Sequence, residues 1–211
     1  SADGTEEQRI HFTSYKDDSV GGDTNGDGAS AGARGDWYRI EFGDTSDDAT
    51  WLIDYAVIRY GGYSYGSTQY GAVNLVSASP TIQNSIITQN EYAGIRGSSS
   101  TPILGCNDIY NNNGYGIYNA TPSTNILAIN QWWGTASGPY HQTLNPSGTG
   151  NAVTNGVTFI PWLSASCNTP PSSPSNLNAS AVSQTQIRLT WQDNSDETEF
   201  HIERSPNGSS D

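Results

Sequence analysis

The chain has no methionine, two cysteines, and only eight Lys+Arg against 21 Asp+Glu among its 211 residues. The shortage of positive charge leaves a formal net charge of -13. A surface of that sign repels nucleic-acid phosphates and anionic lipid headgroups, which need basic stripes to neutralise them. Nucleic acid is therefore excluded as an expected partner. Uninterrupted apolar runs stop at four or five residues, far below the roughly 20 that a spanning helix requires. No charged start followed by an apolar core marks a secretory leader. Cys106 and Cys167 are too few for a disulfide scaffold and fit no metal-ligand spacing. Amphipathic helices of ordinary length are also missing. What fills the chain instead is Ser, Thr, Asn, Gly and Tyr, with 23 Gly, a composition suited to short strands and many turns.

An internal repeat sets the fold expectation. Pro80, Ile82, Asn84, Ile87, Asn90, Gly94 and Ile95 align without a gap on Pro102, Leu104, Cys106, Ile109, Asn112, Gly116 and Ile117, each pair 22 residues apart. The match reaches back to Ala72-Val73 and forward to Ile126 and Ala128. Short alternating segments separated by Asn, Gly and Ser follow strand-and-turn grammar. A unit this small cannot bury its own apolar face, so it must stack on the next one. The expected fold is all-β, a β-solenoid with coils about 4.8 Å apart. Ile82, Ile87, Ile95, Leu104, Ile109, Ile117 and Ile126 should point inward. Asn84, Asn90 and Asn112 fit either side-chain ladders or ordinary turn chemistry. Cys106 replaces Asn84 in the repeat and is expected as a buried, unbonded thiol.

The run from Trp51 to Leu163 includes Tyr55-Ala56-Val57-Ile58-Arg59-Tyr60-Gly61-Gly62, the 22-residue units, Trp132-Trp133-Gly134, Gly138-Pro139 and Pro161-Trp162-Leu163. With Ile10-His11-Phe12-Thr13-Ser14 and Gly35-Asp36-Trp37 upstream, it resembles bacterial right-handed parallel β-helix proteins of the pectate-lyase-like superfamily. The resemblance implies a right-handed parallel β-helix over residues 1–163. It says little about activity, since this architecture carries lyases, hydrolases, adhesins and plain spacers. Residues 164–175, rich in Pro and Ser, read as a linker. In 176–211, the segments Leu189-x-Trp191 and Phe200-x-Ile202-Glu203-Arg204 resemble early strands of a bacterial fibronectin type III domain. That domain needs seven strands and about 100 residues, so the segment would be incomplete. Strand edges open at both ends would suit either an excerpt of a longer chain or a homo-oligomer or filament that pairs those edges.

Asp23-Thr24-Asn25-Gly26-Asp27-Gly28 matches the first half of a D-x-[DN]-x-[DN]-G calcium loop, where alternate oxygens face one point and Gly allows the sharp turn. The Ala29 carbonyl would follow. Arg34 stands where a bidentate Glu belongs, so Asp17, Asp18 or Asp36 would have to supply the missing carboxylate. The alternative is a metal-free, Asx-rich surface turn. The resemblance implies that a lyase of this superfamily would use calcium-bound uronate and an Arg or Lys base. Arg59 is the weak catalytic candidate, and a surface charge pair with Asp54 or Glu91 is the plainer reading. Asp54 and Asp108 are solitary carboxylates, and His11, His141 and His201 are too far apart in sequence to be expected in a triad. Tyr60, Tyr63, Tyr65 and Tyr70 flank a Gly-rich loop and are candidate contacts for a sugar or a protein.

These readings converge on a non-catalytic, calcium-stabilised structural or adhesive module. It would be extracellular or on a bacterial cell surface, binding carbohydrate or another surface protein. A calcium-dependent polysaccharide lyase, or a fragment of one, is the alternative.

Overall fold

The structure is a computed structural model and describes residues 1–63, 69–169, 174–183 and 185–194. The chain divides into two units, Ser1–Asn168 and Thr169–Asp211. Among the described residues there are strands and turns and no helix, so no helix is long and apolar enough to cross a membrane.

The first unit passes repeatedly through three sheets. Sheet A holds β1 (Ala2–Asp3), β4 (Leu52–Asp54), β7 (Thr81–Gln83) and β10 (Ile103–Leu104), in that spatial order. Sheet B holds β2 (Ile10–Phe12), β5 (Ala56–Arg59), β8 (Ile86–Thr88) and β11 (Asp108–Tyr110). Sheet C holds β3 (Ile40–Phe42), β6 (Gly71–Val76), β9 (Ala93–Ser98), β12 (Tyr115–Asn119) and β14 (Ala152–Val153). Every pairing in these sheets is parallel. A further parallel pair joins β13 (Ile126–Leu127) to β15 (Val157–Thr158).

Register follows the repeat. Ile82 pairs with Leu104, Ile87 with Ile109, and Ile95 with both Val73 and Ile117, each across 22 residues. Between the second and third passes the offset is 29 residues in sheets A and B, as in Ile53 with Ile82 and Ile58 with Ile87. The extra residues fall between β5 and β6, and the pairing of β6 with β9 is back at an offset of 22. Stacking identical positions lines up buried aliphatics: Ile53 on Ile82, Ile58 on Ile87 on Ile109, Val73 on Ile95 on Ile117 on Val153. All of these lie in one core cluster, which Leu104 joins as a partly buried member. Trp133 is fully buried over the last complete pass, and an added Cβ at Gly116 would meet its ring at 2.9 Å.

Corners repeat as well as strands. Tyr55 and Asn84 have left-handed φ between sheets A and B, Tyr60, Gln89 and Asn111 between B and C, and Ser77 and Ser99 after sheet C. The residue after each left-handed one feeds a ladder. Asn112 Oδ1 accepts from Asn90 Nδ2 (2.9 Å), and Asn151 Oδ1 accepts from Asn112 Nδ2 (2.9 Å). Asn90 Oδ1 in turn accepts the Gly61 N–H at 2.9 Å. A second ladder runs through Ser85, Asn107 and Gln131. Both readings of the asparagines are thus realised: Asn90 and Asn112 form a buried ladder, while Asn84 is a turn residue that donates to Asp54 at 2.9 Å.

The expectation for Cys106 is overturned: Cys106 and Cys167 form a disulfide, Cα atoms 6.4 Å apart. Strand β10 ends at Leu104, so the two-residue alternation that would carry Cys106 inward stops, and the half-buried side chain sits on the corner. The bond fastens residues 164–168 to the stack, helped by hydrogen bonds from the Ser166 hydroxyl to Asp108 and from Arg9 to Asn168 (3.1 Å). Those residues belong to the segment read as a linker.

In the second unit β16 (Ser175–Ser183) and β17 (Gln186–Gln192) form an antiparallel pair. Leu189 and Trp191 are the half-buried positions of an otherwise exposed β17, which fits period-two alternation. The expected third strand, Phe200–Arg204, lies outside the described residues.

Candidate functional site

The excursion between β2 and β3 carries the acidic motif and lies against the corner between sheets B and C. Several side chains hold it there. Trp37 Nε1 donates to the Arg59 carbonyl (2.8 Å), and Arg34 donates to the carbonyls of Asn90 (3.0 Å) and Asn111 (2.6 Å). Arg34, which the motif reading saw only as a missing Glu, is therefore a pin between this excursion and the corners of the stack.

Within the excursion, Asp18, Asp23 and Asp27 each bring a carboxylate oxygen within 4.8 Å of the others. The Asp23 carboxylate accepts the backbone N–H groups of Gly26 (2.7 Å), Asp27 (3.2 Å) and Gly28 (3.0 Å). Gly26 and Gly28 both take left-handed φ, 72° and 84°, which a side chain would strain. Asn25 Nδ2 donates to Asp27 at 2.9 Å, and Ala29 follows on the exposed rim. Among the described residues the ion pairs are Arg39–Glu41 and Arg59–Asp17, so none of the three clustered carboxylates has a cationic side chain as partner.

Asp17 and Asp36 are drawn elsewhere. Asp17 is buried and accepts from Thr13, from Ser19 (2.7 Å) and from Arg59 (2.6 Å). Burial alone would raise its pKa, but the Thr13 and Ser19 hydroxyls and the Arg59 guanidinium together hold it below the ordinary value. Asp36 accepts from Ser14 (2.6 Å) and the Ala33 N–H (2.9 Å). Burial again opposes, and these bonds with nearby Lys16 prevail, so its pKa is also lowered. Arg59 points at neither Asp54 nor Glu91. Its guanidinium donates to Asp17, Ser19 (2.5 Å) and Thr13 (3.3 Å) and lies over the Tyr60 ring. Burial, Arg59 and Arg9 lower the pKa of His11, against a smaller upward pull from Asp17.

The tyrosines of the Gly-rich segment are mostly committed to packing. The Tyr60 ring covers Gly32, where an added Cβ would meet it at 2.3 Å. Arg39 stacks on Tyr70 at 4.0 Å. Tyr63 is 41% exposed and packs edge-on against Tyr38. Tyr65 lies outside the described residues.

Sequence reasoning missed a second aromatic group, at the strand starts of sheet C. Tyr92, Tyr115 and Tyr118 have ring centroids 5.3 to 5.6 Å apart. Burial and the neighbouring Tyr118 and Tyr115 push the Tyr92 pKa up to about 12. The available signal was a tyrosine immediately before or at the first residue of consecutive repeat strands, Tyr92 before β9 and Tyr115 opening β12. Beside them a cleft of about 440 Å³ is lined by Tyr115, Tyr140 and His141 among others. No family model, no curated protein and no solved structure matches the chain.

Proposed function

We propose that the first unit is a right-handed parallel β-solenoid acting as a non-catalytic structural or adhesive module outside a bacterial cell, with a fibronectin-like segment following it. Arg59 carries this reading. A Brønsted base must be free to reach a substrate proton, whereas this guanidinium is engaged by Asp17, Ser19 and Thr13 and holds the acidic excursion onto the stack. Its geometry supports a clasp better than a lyase base. The Cys106–Cys167 bond supports an oxidising, extracytoplasmic setting, because the cytosol keeps thiols reduced.

Calcium is the cation that the excursion fits. Asp18, Asp23 and Asp27 offer hard oxygens at one point without a cationic partner, and the Asn25 amide oxygen and Ala29 carbonyl complete the motif's alternate positions. Bound there, calcium would offset the mutual repulsion of the carboxylates and stiffen the excursion. Adhesion would fall to surfaces displayed on the rigid stack, with carbohydrate or another surface protein as partner. Incubation with polygalacturonate and alginate in the presence of calcium, followed by ultraviolet absorbance of unsaturated product, tests the non-catalytic claim. No product is expected. Turnover that disappears in Arg59→Ala would establish the lyase instead.

A further inference from the structure

The cleft at the β12–β14 end of sheet C is lined without an acidic side chain, on a chain of net charge -13. Tyr115, Tyr140, His141, Gln142, Thr154 and Asn155 line it, and no Asp, Glu, Lys or Arg is among the lining residues. Its volume, about 440 Å³, falls in the roughly 300–1,000 Å³ range of small-ligand clefts.

The polar groups are held in place. Nδ1 of the buried His141 accepts the backbone N–H groups of Thr143 (3.3 Å) and Leu144 (3.1 Å). With Nδ1 accepting, the neutral ring carries its proton on Nε2. Thr154 Oγ1 accepts the Asn119 N–H at 2.8 Å, leaving its hydroxyl hydrogen to donate. Gln142 and Asn155 are exposed and bring amides that both donate and accept. The aromatic groups differ in freedom. Tyr115 is wedged between Tyr92 and Tyr118, whereas Tyr140 is 44% exposed and takes no part in those ring contacts.

We propose that this cleft binds a neutral oligosaccharide. A sugar ring presents an apolar C–H face to a tyrosine and a hydroxyl rim to neutral donors and acceptors. Tyr115, fixed beforehand by Tyr92 and Tyr118, loses little entropy on binding, and the exposed Tyr140 ring adds a second apolar face. An acidic sugar would find no Lys or Arg in the lining and would meet a chain of net charge -13. The site adds a ligand to the proposed scaffold and shares no residue with the calcium motif, so either claim can fail without the other.

Calorimetric titration of the whole chain with cellohexaose, xylohexaose, mannohexaose and hexagalacturonate tests it. At least one neutral hexasaccharide should bind saturably, with an affinity insensitive to salt and to chelator. Tyr140→Ala should weaken it about tenfold, and Tyr140→Trp should restore most of the loss. Both variants should melt like the parent, since Tyr140 is an exposed side chain. Gln142→Ala offers a second exposed probe and should also weaken binding. Failure of all three neutral sugars to bind, wild-type affinity in Tyr140→Ala, or binding of hexagalacturonate alone would overturn the proposal.

Discussion

At each corner of the stack, one residue turns the chain and the next one joins it to the neighbouring pass. The left-handed φ of Asn84, Gln89 and Asn111 does the first job, and the buried Ser85, Asn90 and Asn112 that follow them do the second. Asn112→Ala should orphan the Asn90 N–H and the Ile87 carbonyl, which Asn112 now satisfies. A cost of about 2–4 kcal/mol follows from two buried groups left unpaired. Asn113→Ala, at an exposed neighbour, should stay within about 0.5 kcal/mol, and urea melts of the two variants check the contrast. Acidification addresses the same scale. The folded pKa values of Asp17 and Asp36 lie below 3.8, so their stabilisation is complete above that value and is lost as pH falls through the lower folded values. His11 has its folded pKa below 6.5, so protonation of the unfolded chain begins to cost stability as pH drops through 6.5. Chelated protein should therefore show stability declining from near neutrality, then falling further below about pH 4. A flat profile between pH 7 and pH 3 would contradict these assignments.

In the first unit, single strands of two to six residues are too short to be stable alone, so each element depends on its register with the next. Ile109 is fully buried between neighbouring passes, and Ile109→Ala should cost about 2–5 kcal/mol through lost burial and a residual cavity. Leu104 sits on the last strand of sheet A and is only partly buried, so Leu104→Ala should cost less than Ile109→Ala. Equal costs in denaturant titrations would mean that sheet A continues beyond β10. The strand pattern and the inward aliphatics were legible because 22-residue spacing forces like onto like. The partner of Cys106 was not, since nothing local to the repeat indicates that Cys167, 61 residues away, returns to that corner. Nor could spacing separate Asp17 from Asp18. Adjacent residues on an irregular excursion go to different partners, one to Arg59 and the other to the Asp23–Asp27 cluster. The sheet C tyrosines were hidden for a related reason, because Tyr92 and Tyr115 are 23 residues apart and fall out of phase with the repeat.

In the first unit as a whole, two long-range ties supplement the stacked passes. The disulfide joins residue 167 to the corner at 106, and reduction or Cys167→Ser should lower stability by about 2–4 kcal/mol without changing the strand content seen by circular dichroism. The acidic excursion is the other tie, pinned by Arg34 and Arg59 and bearing the three convergent carboxylates. A calcium-stabilised module must melt differently with and without the ion. The direct measurement is thermal unfolding in saturating calcium and after exhaustive chelation, for the parent and for Asp23→Ala/Asp27→Ala. Calcium at about a hundredfold its Kd should raise the parent's Tm by roughly 5–10 °C, and the double variant should lose that rise. A parent Tm unchanged by chelation, or a double variant that keeps the full shift, would contradict a calcium clasp on this scaffold.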